Sequence, residues 1–201
     1  MRTYGKLALA ALLASGLAAP LPAAAQWARV ADTPAADARG ESPSARLDAL
    51  FEDLAEAGDE EWRPIQNRIQ TIWARSPSPS MTFILSRAVD ALQEKELGEA
   101  EAFLDDLVRL APDFAEGWNK RATVHFLRED YGRAVADIQR VLALEPRHFG
   151  ALQGLGMILE RLDRDADAYR VYRRALELHP NLEQAREGLE RLAPEVEGRP
   201  L

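Results

Sequence analysis

A period of 34 residues is the feature of this sequence that most constrains its fold. Five columns of similar residues recur at that step over three copies. The columns are Pro112, Pro146 and Pro180; Ala100, Ala134 and Ala168; Leu110, Leu144 and Leu178; Ala88, Ala122 and Gly156; and Leu104, Ile138 and Tyr172. A fixed period of this length is typical of a repeat protein, in which each unit buries its apolar face against its neighbours.

Each unit has the pattern of a helix, a turn and a second helix. Apolar residues recur three and four positions apart, which predicts amphipathic helices. Polar breaks such as Arg128-Glu129-Asp130 and Leu162-Asp163-Arg164 separate the two helices of a unit. The small residues let the paired helices approach closely, and the proline ends the second helix because it cannot continue the hydrogen-bond ladder. The fold class predicted is therefore all-α, a solenoid of helical hairpins.

These units resemble the tetratricopeptide repeat family, whose members are built from helical hairpins of 34 residues. We assign the repeats to residues 81–112, 115–146 and 149–180. The second repeat carries the family's signature columns at Trp118, Ala122, Ala134, Ile138, Val141 and Pro146. It departs from the family pattern at Arg121, where leucine is usual, and at His125, where tyrosine is usual.

The segments on either side of the repeats are shorter. Residues 26–43 lack periodicity and are expected to be disordered. Residues 44–80 are interpreted as a helical hairpin, a degenerate first repeat, with Ser80 capping the next helix. Residues 181–192 are interpreted as a C-terminal capping helix that begins with a capping box at Asn181 and Gln184, and residues 193–201 as a tail. This gives nine helices and no sheet.

The first 25 residues have the order of a secretory signal peptide. Arg2 and Lys6 precede an apolar run over residues 7–18, and small residues at 23–25 follow two prolines. We expect cleavage between Ala25 and Gln26 and a periplasmic location. The run is shorter than the roughly 20 residues that span a bilayer. An uncleaved membrane anchor is the alternative, and no membrane insertion is expected after signal removal.

Composition narrows the classes of partner and of chemistry. The chain has 201 residues and a net charge of −8, which argues against nucleic acid as a partner. It has no cysteine, which excludes disulfides and thiolate metal sites. Residues 26–114 carry a net charge of −9. This acidic excess is either a solvated surface or a face that selects a basic partner.

Residues that could carry catalysis or bind a metal are scarce. None of the three histidines belongs to a helix-borne metal motif, and no nucleophile elbow or phosphate loop is present. His125 is predicted to be packed in the core, while His148 and His179 are expected to be partly exposed at unit junctions. We therefore predict that the protein is not an enzyme and has no metal site or cofactor.

The resemblance implies a concave groove lined by the first helix of each repeat. Carried over to this chain, the groove residues that we single out are Leu85, Val89, Asn119, Thr123, Phe126, Gln153 and Met157. With Leu92, the apolar members are expected to expose apolar area, while Asn119 and Gln153 are expected to hydrogen-bond a peptide. The alternative is that the N-terminal hairpin or the tail folds over this groove.

The resulting prediction is a protein–protein interaction module. It would act as a periplasmic adaptor or scaffold that holds an unidentified protein or peptide in its groove. The alternative function is a structural subunit of an envelope assembly that associates with itself.

Overall fold

The computed structural model describes residues 42–58, 60–196 and 198, and in these residues it contains nine α-helices and no strand. The predicted fold class is thereby confirmed. The helices are α1 (Pro43–Glu56), α2 (Trp62–Trp73), α3 (Pro79–Gln93), α4 (Leu97–Leu110), α5 (Ala115–Leu127), α6 (Tyr131–Leu144), α7 (Phe149–Arg161), α8 (Asp165–Leu178) and α9 (Glu183–Val196). The predicted signal peptide, including Ala25 and Gln26, lies outside the described residues.

Helices α3 to α8 form three antiparallel hairpins, one per repeat, and α9 packs on α7 and α8. The alanine column and the small-residue column lie where paired helices meet, so Ala88, Ala134 and Ala168 are fully buried. The turn inside each hairpin has a left-handed residue at Lys95, Glu129 or Asp163, with φ of 64°, 60° and 54°. These three residues are also 34 positions apart, so backbone conformation repeats with the same period as the side chains.

The helix ends differ from the predicted caps. Ser78, not Ser80, caps α3, because its side chain accepts a hydrogen bond from the Met81 N–H at 3.3 Å. Helix α9 begins at Glu183, and Asn181 instead donates its side-chain N–H to the Ala57 carbonyl at 3.1 Å. That bond ties the C-terminal part of the chain to the N-terminal hairpin.

Helices α1 and α2 pack against each other as a hairpin that does not stack on the first repeat. Its buried side chains Leu50, Leu54 and Ile69 belong to one apolar cluster with residues of α7, α8 and α9. The first repeat has a separate cluster, built from α3, α4, the segment after α4 and Val124 of α5. The N-terminal hairpin therefore folds back across the molecule onto the third repeat.

The surface of α3 explains why no hairpin stacks there. Gly117 and Ala151 are the residues of the second and third repeats that lie buried against the preceding repeat. The equivalent residue of the first repeat is Phe83, which is 65% exposed. A phenylalanine at this column prevents the close approach that glycine and alanine permit. The equivalent of the buried Val124 and Ile158 is Asp90, which a stacked hairpin would desolvate.

Candidate functional site

The second and third repeats form a cleft between α5 and α7. It holds a small pocket of about 20 Å³, room for about one water molecule. The pocket is lined by Asn119, Ala122, Thr123, Phe126, Ile138, Gly150, Ala151, Gly154 and Ile158. Gly150 and Gly154 lie one helical turn apart on α7 and are half-buried, so they leave the α7 backbone open to a ligand.

The predicted groove residues divide into two sets. Val89, Asn119, Thr123 and Met157 are half-buried, so a ligand can reach them. The expectation that Leu85, Leu92 and Phe126 expose apolar area is wrong, because all three are buried in the apolar cores of the repeats.

Gln153 is also buried, and its side-chain amide bonds to Gln184 of α9. Because its amide is hydrogen-bonded to Gln184, Gln153 joins α7 to α9 in the structure. Its role toward a peptide stays a prediction.

Glu116, at the second position of α5, is a further groove position, and its carboxylate has several partners. Its carboxylate binds the Lys120 ammonium at 2.9 Å and accepts hydrogen bonds from Asn119 Nδ2 at 3.1 Å and from the His148 ring at 3.3 Å. Burial acts to raise the pKa of Glu116, but Lys120 and the His148 hydrogen bond outweigh it and lower the pKa to about 2. The signal in the sequence was a charged residue at the second position of α5. A carboxylate buried there needs partners, which predicts contacts such as these.

The N-terminal hairpin covers His148 and His179, so the expectation that they are partly exposed is wrong. Trp73 stacks on His148 with ring centroids 4.2 Å apart and planes 13° apart. Trp62 meets His179 edge-on at 5.2 Å, and the His179 ring bonds to Gln66 Oε1 at 2.7 Å. Burial lowers the pKa of His179 to about 4.

The third histidine, His125, is buried as predicted, beside a network of charged side chains. Arg121 donates two hydrogen bonds to Asp137, at 2.9 and 2.7 Å, and one to Asp105, at 2.9 Å. His125 Nε2 lies 3.5 Å from Asp137 Oδ2. The two departures from the repeat pattern, Arg121 and His125, therefore belong to one network that links α4, α5 and α6.

A wider, open cleft of about 490 Å³ lies on the N-terminal hairpin. Its walls include the carboxylates of Asp53, Glu56 and Glu61. The acidic excess of the N-terminal half is thus partly concentrated on the outer face of α1 and α2.

Comparison with known proteins decides the family. A TPR repeat-containing protein of Rhizobium etli is 37% identical to this chain over 158 residues, which are 78% of this chain and 78% of that protein. A model of the tetratricopeptide repeat matches residues 149–182. This chain belongs to the tetratricopeptide repeat (TPR) family.

Solved TPR structures share the fold of this TPR protein. The first TPR of Spaghetti (RPAP3), bound to HSP90 peptide SRMEEVD, matches with a TM-score of 0.56 at 20% identity, over 58% of this chain and 93% of that one. The Sgt2 TPR domain from Aspergillus fumigatus matches with a TM-score of 0.57 at 20% identity, over 63% and 88%. TPR domains are protein–protein interaction modules, and most TPR proteins are non-enzymatic scaffolds.

None of the nine helices in the described part of the chain has the length and apolar character needed to cross a bilayer. No group of three or more metal-ligating side chains occurs among the residues that the structure describes.

Proposed function

We propose that this TPR protein holds a segment of a partner protein in the cleft between α5 and α7. The observation that carries the proposal is the composition of the cleft. Gly150 and Gly154 let a ligand backbone approach α7, and Asn119 and Thr123 of α5 face them with polar groups. A polypeptide segment needs both, because its backbone amides lose water on binding and must be paired.

The chemistry of the cleft favours a neutral or basic segment over an acidic one. The residues that line the cleft between α5 and α7 are all uncharged. The ammonium of Lys120 is engaged by Glu116. Residues 26–114 also carry a net charge of −9, which repels acidic ligands at low salt.

Substitution of one glycine tests the cleft. Protein comprising residues 26–201 is used to select ligands from a random peptide library, and the affinity of the enriched peptides is measured by fluorescence anisotropy. A Cβ added at Gly154 meets Ile138 Cδ1 at 3.8 Å, an ordinary contact, and we expect the rest of the Gly154→Leu side chain to occupy the cleft, with unchanged helical circular dichroism showing that the variant folds. We expect at least a tenfold loss of affinity.

Gly98→Leu is the matched control, since a Cβ at this exposed helical glycine of α4 meets nothing within 4 Å. We expect this variant to bind as the wild type does. Enriched peptides that bind the Gly154→Leu protein with unchanged affinity would rule out the cleft as the binding site.

We extend the proposal to location, on the strength of the sequence of residues 1–25. The protein is exported, begins at Gln26 and acts in the periplasm as an adaptor in envelope assembly or maintenance. N-terminal sequencing of the exported protein tests this, and Met1 retained in the membrane fraction contradicts it.

Self-association is the second candidate function, favoured by the open end of the first repeat. Phe83 is 65% exposed there because no hairpin stacks on α3. If copies associate through this end, sedimentation shows a concentration-dependent dimer that Phe83→Ser abolishes. Leu162→Ser, at a residue that is 45% exposed in the third repeat, is the control and leaves the dimer intact. A monomer at all concentrations excludes this function.

A further inference from the structure

The amide of Asn119 has a defined orientation in the cleft. Its Nδ2 donates to Glu116 Oε2 at 3.1 Å, so the amide oxygen Oδ1 points away from that carboxylate. An ionised carboxylate only accepts hydrogen bonds, and a flipped amide would set two oxygens against each other. Burial acts to raise the pKa of Glu116, but Lys120 and His148 lower it to about 2. This carboxylate is therefore ionised at neutral pH.

His148 holds Glu116 from the other side and has a defined tautomer. The Ala151 N–H donates to His148 Nδ1 at 3.1 Å, where His148 caps α7. Nδ1 is therefore the acceptor, and the ring N–H that remains to donate is Nε2–H. This Nε2–H donates to Glu116 Oε2 at 3.3 Å.

The ring of His148 is held in turn by the N-terminal hairpin. Trp73, the last residue of α2, lies parallel to the imidazole with centroids 4.2 Å apart. Phe149 packs against the same indole at 5.0 Å. A contiguous chain of contacts therefore runs from Trp73 through His148 and Glu116 to Asn119, although Trp73 lies outside the three repeats.

We infer that Trp73 is a positioning residue for the cleft. It acts through His148 and Glu116, and it keeps the Asn119 amide oriented with its oxygen toward a ligand. The inference rests on the proposed function of the cleft and adds the class of group bound there. A hydrogen-bond donor, such as a peptide N–H or a lysine or arginine side chain, pairs with Asn119, and a carboxylate does not.

Nuclear magnetic resonance of the ¹⁵N-labelled full chain tests the contacts without any ligand. The Asn119 Nδ2H2 signals are assigned with Asn119→Asp, and Glu116→Gln defines how they shift when the carboxylate is removed. Trp73→Leu breaks the stack. His148→Asn keeps a good helix cap for α7 but loses the donor to Glu116.

The matched control is Trp62→Leu, which removes the tryptophan at the other end of α2, where it packs against His179. We expect Trp73→Leu and His148→Asn to shift the Asn119 signals in the direction seen for Glu116→Gln, and Trp62→Leu to leave them unchanged. Unshifted signals in Trp73→Leu, or equal shifts in Trp62→Leu, would overturn the inference. If Trp73 only stabilised the N-terminal hairpin, Trp73→Leu and Trp62→Leu would shift the Asn119 signals equally.

Binding gives a second and separate measurement. A library peptide selected on the wild type should bind Trp73→Leu about tenfold more weakly, the effect of one misaligned hydrogen bond, and bind Trp62→Leu unchanged. If the Asn119 signals respond as expected but no peptide depends on the cleft, the proposed function fails while the positioning of Asn119 by Trp73 stands. If peptides bind the cleft and Trp73→Leu binds as the wild type does, the positioning inference fails alone.

Discussion

The size of the Tyr172 ring restricts one position of α7 and one position of α9 to glycine. In the first two repeats, an alanine of the first helix faces a leucine or an isoleucine of the second. In the third repeat the large residue is Tyr172, and the small one is Gly156. A Cβ at Gly156 would lie 2.3 Å from the Tyr172 ring, and a Cβ at Gly188 of α9 would lie 2.4 Å from its other edge. The ring fits only because a glycine lies on each side.

This packing gives a prediction for two glycine-to-alanine changes. Gly156→Ala should lower the free energy of unfolding by about 1–3 kcal/mol, because the Tyr172 ring cannot move away without meeting α9. Gly98→Ala, at an exposed position of α4, should raise it by up to about 1 kcal/mol through helix propensity. Urea unfolding at pH 7 compares the two. Equal stability of the two variants would show that Tyr172 does not confine Gly156.

At the scale of elements, charged side chains link the helices of the first and second repeats. Arg121 occupies a column where an apolar residue is usual, and it joins Asp137 of α6 to Asp105 of α4. Asp137 is buried, and a buried carboxylate requires a partner such as this guanidinium. The pKa of Arg121 is raised, first by its hydrogen bond to Asp137.

We therefore predict that restoring the usual residue of the family destabilises this chain. Arg121→Leu leaves the buried Asp137 carboxylate without its guanidinium and should cost about 3 kcal/mol. Adding Asp137→Ala removes the orphaned charge and should recover part of that loss. Arg109→Leu breaks an exposed pair with Asp106 and should cost under about 1 kcal/mol. Thermal and urea unfolding measure all three, and no loss in Arg121→Leu would contradict the role of the network.

At the scale of the whole molecule, the N-terminal hairpin closes onto the third repeat and the capping helix. Arg147 pairs with Asp48 at 2.7 Å and lies over the Phe51 ring, and Asn181 binds Ala57. His179 lies at the centre of this contact, between Trp62 and Gln66 of α2 and Phe149 of α7. Folding of the N-terminal hairpin is therefore coupled to the C-terminal third of the chain.

The buried His179 makes this closure sensitive to acid. Its pKa is about 4 in the folded protein, lowered by burial, against an ordinary value of 6.5. The unfolded chain thus binds more protons between these two values, and stability falls as the pH falls through this window. We expect the wild type to lose about 2 kcal/mol between pH 7 and pH 5 from this group.

The variant His179→Gln keeps a polar side chain beside Gln66 but does not titrate, so it should lose much less over the same range. His125, whose pKa burial also lowers, contributes equally to both proteins. Urea unfolding at the two pH values measures the difference. Parallel pH dependence in wild type and variant would show that His179 is not the responsible group.

The all-α repeat fold could be predicted from the sequence because each repeat is stabilised by short-range and nearest-neighbour contacts. Alanine columns, prolines and polar breaks act within 34 residues, so a single chain displays them three times. The placement of the N-terminal hairpin was missed, although Phe83 and Asp90 carried a signal. They stand where Gly117, Ala151, Val124 and Ile158 permit stacking in the later repeats.

By itself, the sequence determined the helical hairpins, their register and the family, because these follow from periodicity and from residue size at fixed columns. Only the tertiary structure decided what depends on contacts between residues far apart in the chain. It set Gln66 against His179, 113 positions away, and Trp73 against His148. It also buried Leu85 and Phe126, which the resemblance to the family assigned to the groove. No periodic pattern encodes such pairs, because each occurs once and its energy arises only when the chain has folded back on itself.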